Sequence, residues 1–129
     1  MKTDVATIAD PREVHCFTKQ IVRIPDRLPI DVSDEDLRRI RAAHAAGQDA
    51  PTICRVMTPE DGDKRLTWDP NSKEEVFDAK ELWEQLIKEG MDPYRVDQKT
   101  GKVTAEKLKI FYAKLGEVVF LPVRAMVGG

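Results

Sequence analysis

Apolar positions recur along this chain with two periods, and the change from one to the other marks out its elements. The clearest stretch runs from Val76 to Ile87. There Val76, Ala79, Leu82, Trp83, Leu86 and Ile87 fall in a stripe of about 140° at 100° per residue, one face of a helix. Asn71 and Ser72 each precede a glutamate by three residues, so either can cap the start, and Gly90 supplies a left-handed stop. Phe77 falls outside the stripe. An earlier helix is signalled at Ser33, with Asp36 in the capping-box position and Val32 and Leu37 spaced as a hydrophobic staple. Asp34, Glu35 and Asp36 put negative charge on its first turn, where the helix dipole favours it. Its apolar face, Leu37, Ile40 and His44, is thin, which predicts packing at an edge before a stop at Gly47.

Between and around these helices the period falls to two. Thr18 to Ile24 is rich in β-branched residues and reads as a strand, ended by Pro25-Asp26, and Leu28 to Val32 continues as an extended piece. Thr52 to Met57 and Lys64 to Trp68 form a hairpin across Pro59-Glu60-Asp61-Gly62. A short strand, Pro93 to Asp97, follows the main helix, then a turn at Gln98 to Gly101. Val103 to Tyr112 reads both ways. Leu108, Ile110 and Tyr112 alternate as a strand does, whereas Leu108, Phe111 and Leu115 suit a helix. The preceding turn favours a returning strand. Glu117 to Leu121 is a buried strand by its run of Val118, Val119, Phe120 and Leu121.

The order from residue 52 is therefore strand, strand, helix, strand, strand, strand. It predicts an α+β fold in which a mixed sheet packs on one main helix. Residues 1–50 form an N-terminal arm plus a strand-helix extension, 51–122 the core, and 123–129 a C-terminal tail. No repeat recurs at periods of 20–50 residues.

Composition narrows the partners. Of 129 residues, 41% are hydrophobic and 34% charged, an ordinary balance for a packed domain. Lys and Arg number 21 against 23 Asp and Glu, for a net charge of -2 with both signs interspersed. Only 6% of residues are aromatic, so neither a basic track nor a stacking platform marks a nucleic-acid partner. Cys16 and Cys54 form no disulfide framework, and Met1-Lys2-Thr3-Asp4 leads into no apolar signal region. The longest apolar run, Val118 to Val123, is too short to span a bilayer. A cytoplasmic protein without membrane contact is the expectation.

Candidate chemistry is sparse. His15-Cys16, His44 and Cys54 lack the paired spacing of a zinc site. Neighbours on a strand point to opposite faces, so His15 is badly placed to activate the Cys16 thiol. The acidic clusters at 31–35 and 60–63 read as a helix start and a hairpin turn, because neither has a calcium-loop pattern. Phosphate-binding loops and a nucleophile elbow are missing as well. The expectation is no catalytic residue, no metal ligand and no cofactor. Trp83, on the helix stripe, and Trp68, at a strand end, read as core, whereas Phe77 is a candidate partner contact.

One motif points to a family. The strand within Leu115 to Pro122, followed by Val123-Arg124-Ala125-Met126-Val127-Gly128-Gly129, resembles the end of ubiquitin-like β-grasp carriers. These include ubiquitin and the sulfur carriers of molybdopterin and thiamine synthesis. The resemblance extends in element order over residues 52–129 and implies a β-grasp-like core. It implies a tail whose terminal carboxylate an adenylating enzyme activates, with Gly129 as the reacting residue and Gly128 its slim neighbour. Two functions follow as expectations. The first is a non-catalytic accessory or structural subunit that binds other protein subunits, with Phe77, Met126 and Val127 as contacts. The alternative is a ubiquitin-like modifier or sulfur carrier used at Gly128-Gly129.

Overall fold

The computed structural model describes residues 10–123. Among these the element order is β1 (Glu13–His15), β2 (Ile21–Arg23), α1 (Asp34–Ala45), β3 (Thr52–Thr58), β4 (Gly62–Trp68), α2 (Lys73–Lys88), β5 (Met91–Val96), β6 (Val103–Lys107) and β7 (Glu117–Pro122). β1 and β2 form a small antiparallel sheet. The other strands form one mixed sheet in the order β4-β3-β7-β5-β6. The fold is α+β. β7 lies parallel to β3 and antiparallel to β5, so the last strand of the chain occupies the middle of the sheet.

α2 follows its apolar stripe. Ser72 is the cap and accepts from the Glu75 N–H at 3.2 Å, while Glu74 and Glu75 complement the dipole. Ala79, Leu82, Trp83 and Leu86 are buried, but Ile87, at the end of the stripe, stays 42% exposed. Gly90, at φ 88°, turns the chain directly into β5. Trp68 and Trp83 are core residues, 1% and 4% exposed. Trp83 meets Phe120 edge-on at 5.2 Å between ring centroids, and Phe111 packs against both tryptophans.

The same buried cluster takes in Val14, Cys16, Val22, Ile24 and Leu28 with Trp68, Trp83 and Phe120. Residues before position 50 thus contribute to the core beneath α2. The first predicted strand is shorter than its β-branched run: only Ile21–Arg23 pairs, because Cys16 to Lys19 closes a tight turn with β1. β1 itself has no period to announce it, since three residues pair through contacts that only the folded chain supplies. Leu28 to Val32 is extended but not a strand; Ile30 makes one bridge to Leu66. The ambiguous stretch is a strand over Val103–Lys107 alone. Beyond it the chain turns, sending Leu108 and Phe111 inward and leaving Ile110 and Tyr112 outside.

α1 is capped as predicted: Ser33 accepts from the Asp36 N–H at 3.1 Å. Its only buried residue is Leu37, in keeping with the thin apolar face. Asp31 holds φ 59° just before it, a left-handed conformation that Asp tolerates, and donates its N–H to Arg65 O at 2.9 Å. Gly116, at φ 80°, opens β7; a Cβ there would sit 2.7 Å from the Gln98 side chain.

Candidate interaction surfaces

Strand alternation divides the sheet into two faces. Cys54, Val56, Leu66, Val118 and Phe120 point toward α2. Glu117, Val119, Arg55 and Arg65 belong to the other parity and lie on the opposite face. That face holds a chain of ion pairs. Glu117 is 2% exposed, and Arg41 of α1 grips both its carboxylate oxygens at 2.8 and 2.6 Å. Arg55 lies 3.9 Å from the same carboxylate and donates to both oxygens of Asp63 at 3.1 Å. Arg65 joins Asp63, at 2.9 Å, to Asp34, at 2.5 Å. Burial pushes the Asp63 carboxyl up, but hydrogen bonds from Arg55 and Arg65 outweigh it and hold it below the usual carboxylate range. The hydrogen bond to Glu117 likewise makes Arg41 still harder to deprotonate. A buried carboxylate matched by guanidinium forks fixes geometry more than it adds stability. Here it pins α1 to the sheet. Beside the ladder lies a smaller apolar cluster of Tyr94, Val96 and Val119, with Met57 and Leu121 partly buried against it.

The histidines and cysteines have structural surroundings. His15 Nδ1 lies 2.9 Å from Asp61 Oδ1, and the His15 backbone N–H donates to Asp61 Oδ2 at 2.7 Å. This contact ties β1 to the β3–β4 turn. The Asp61 hydrogen bond raises the His15 imidazole above its ordinary value. Burial pushes the Cys16 thiol up to about 11 and the Cys54 thiol higher still, so neither is poised as a thiolate. His44 Nε2 contacts Pro51 O at 2.7 Å. Among the described residues no cluster of three or more His, Cys, Asp or Glu could hold a metal ion, and no helix is long and apolar enough to cross a membrane.

Phe77 stands on the outer side of α2, 62% exposed, over a shallow depression with Arg27, Lys73 and Asp78. Arg27 and Asp78 pair across it at 3.4 Å. Met126, Val127, Gly128 and Gly129 lie outside the described residues. Two further surfaces escaped sequence reasoning. At the β3–β4 turn, Phe17, Ile21 and Pro59 line a pocket of about 380 Å³ with Lys19, His15 and Glu60. At the far edge of the sheet, Ile110 (61% exposed) and Tyr112 (51%) border a groove of about 340 Å³ with Arg95, Lys107 and Lys109. The only sequence signal for the second was the failure of either period to account for every apolar residue in 103–112. The ion-pair ladder had none, because Arg41 and Glu117 are 76 positions apart.

No protein-family model matches this chain, and no curated protein or solved structure does either.

Proposed function

We propose that this chain is a non-catalytic protein-binding protein, an accessory or structural subunit of a larger protein assembly, built on a β-grasp-like unit. The observation that carries this reading is the exposure of large apolar side chains at separate surfaces. Phe77, Ile110 and Tyr112 are each more than half exposed, while the neighbouring apolar residues pack into the core. Exposed aromatic and branched side chains beside charged rims are what partner surfaces use as anchors. Support for the β-grasp description is the strand, strand, helix, strand, strand, strand order over residues 52–122, gathered into one sheet against α2. The reading needs no cofactor.

The test is a pull-down from the native source through an amino-terminal tag. The expected result is stoichiometric partners that dissociate in denaturant and are depleted by Phe77→Ala or by Ile110→Ala/Tyr112→Ala. Capture unaffected by all three substitutions would remove the basis of the reading.

A second reading, a ubiquitin-like modifier or sulfur carrier activated by an adenylating enzyme, is favoured by one observation. β7, which leads toward residues 123–129, is hydrogen-bonded to strands on both sides, so any load on the tail is borne by the middle of the sheet. In this reading Gly128 and Gly129 are the reacting end. Denaturant-resistant adducts, or a thiocarboxylate mass shift, that vanish when the two glycines are removed would establish it. Their absence from the native source, where the activating enzyme is present, would leave the first reading alone.

A further inference from the structure

We infer that the outer edge of β6 and the groove beside it take up an extended acidic segment of a partner protein as an added strand. This rests on the protein-binding reading and specifies one mode of it. β6 ends the strand order, and among the described residues no strand pairs with its outer side. The ladder to β5 decides which main-chain groups face out. Leu108 donates its N–H to Pro93 O at 2.9 Å, and Asp97 donates to Lys102 O at 2.8 Å. The register shifts between the pairs Tyr94–Lys107 and Val96–Val103, but each pair is flanked by its own ladder bond, so at both ends of β6 the main-chain groups of Val103 and Lys107 face outside. Those are the donors and acceptors that strand addition uses.

Charge selects the occupant. Between positions 95 and 114 stand Arg95, Lys99, Lys102, Lys107, Lys109 and Lys114 against only Asp97 and Glu106. Asp97 is taken up by the N–H groups of Lys99 and Thr100, and Glu106 lies 3.8 Å from Arg95. Lys99 acts on Asp97 and Lys107 pairs with Asp92 at 3.1 Å, whereas among the described residues Lys102 and Lys109 have no carboxylate partner. A second copy pairing through its own β6 would bring lysines toward lysines, which disfavours a homodimer. Carboxylates on an incoming strand meet cations instead. Arg95, Lys107 and Lys109 line the groove together with Ile110 and Tyr112, so an incoming strand meets cations and apolar side chains side by side, its carboxylates serving the first and its apolar residues the second.

The test uses the full chain, labelled with ¹⁵N, and a synthetic peptide of alternating aspartate and valine, about ten residues long. Expected are amide shifts clustered within residues 95–112 and an affinity that falls with added salt. Lys102→Glu/Lys109→Glu, checked for native circular dichroism, should weaken binding at least about tenfold. A peptide N-methylated at alternate residues should lose binding, since it cannot complete the ladder. Shifts centred elsewhere, unchanged affinity in the variant, full binding by the N-methylated peptide, or no binding up to about 1 mM would each overturn the inference. Partners captured from the native source by the wild-type chain and equally by Lys102→Glu/Lys109→Glu would sink the β6 assignment and leave the protein-binding reading standing. Peptide binding at β6 with no captured partner would do the reverse.

Discussion

Along the β4 edge of the sheet, residues 28–31 lie against the strand: Ile30 bridges Leu66, Asp31 donates to Arg65 O, and Thr67 donates to Pro29 O. Along the β6 edge, among the described residues, no strand pairs with the outer side, and lysines stand around it. Both edges face the same hazard of pairing with a foreign strand, and the chain meets it with different means. The first edge is closed by covalent neighbours that also feed the core. The second carries lysines and a register shift in its pairing with β5; in the proposed binding mode that charge disfavours a second copy and favours an acidic strand. Sealing costs chain length and yields stability; guarding costs little and leaves the edge accessible.

The largest blow to the sealed side is Leu28→Ala. Leu28 is fully buried in the main cluster, so the substitution should cost about 2–5 kcal/mol in denaturant unfolding. The loss should appear in a single transition followed equally by Trp68 and Trp83 fluorescence. A separate early transition would show that the N-terminal hairpin folds apart from the sheet. Glu117→Gln comes next, at about 2 kcal/mol. This is below the figure for a wholly buried pair because the Arg41 side chain remains 33% exposed. The matching change in α1 is faster amide exchange over residues 34–45.

A third contact, His15 with Asp61, sets a pH window. The His15 imidazole is raised, so its contribution is fully present below the ordinary value of 6.5 and is lost as pH rises through the higher native value. Asp61 is held low: burial pushes its carboxyl up, but the hydrogen bonds from His15 and Thr58 outweigh that. Its contribution is present above 3.8 and fades as pH falls through the lowered native value. An NMR titration should therefore place His15 above 6.5 in the native chain, and Asp61→Asn should bring it down. A native value at or below 6.5 would remove this link between β1 and the β3–β4 turn. The smallest effects on stability belong to exposed side chains, Lys102 and Lys109 on the guarded edge and Phe77 on the outer side of α2. Phe77→Ala and Lys102→Glu/Lys109→Glu should each stay within about 0.5 kcal/mol of the parent while changing what the protein binds.

Elements whose signals are local were readable from the chain. α2 carries its stripe, its Ser72 cap and its Gly90 stop within a short span, and the β3–β4 hairpin brings its own turn. Features made by distant partners were not. β1 pairs with β2 through three residues that resemble any loop, and the ladder from Asp34 to Arg41 runs through positions far apart in sequence. The stretch after β6 defeated both periods because its residues serve different neighbours. Phe111 reaches the two tryptophans while Ile110 and Tyr112 face out. Of the exposed large apolar residues, Phe77 was legible because it breaks a strong stripe, and Ile110 and Tyr112 were not because there was no strong stripe to break.

The place of β7 has a consequence for biosynthesis. Its partners β3 and β5 are made well before it, and the register pairs Ile53 with Glu117 and Met91 with Pro122. Until residue 122 leaves the ribosome, the β3–β4 hairpin and the β5–β6 pair stand apart with a slot between them, and Trp83 lacks Phe120. Closing that slot depends on contacts of long sequence separation, which form slowly. During synthesis the nascent chain therefore holds two unpaired inner edges, surfaces of the kind that chaperones shield.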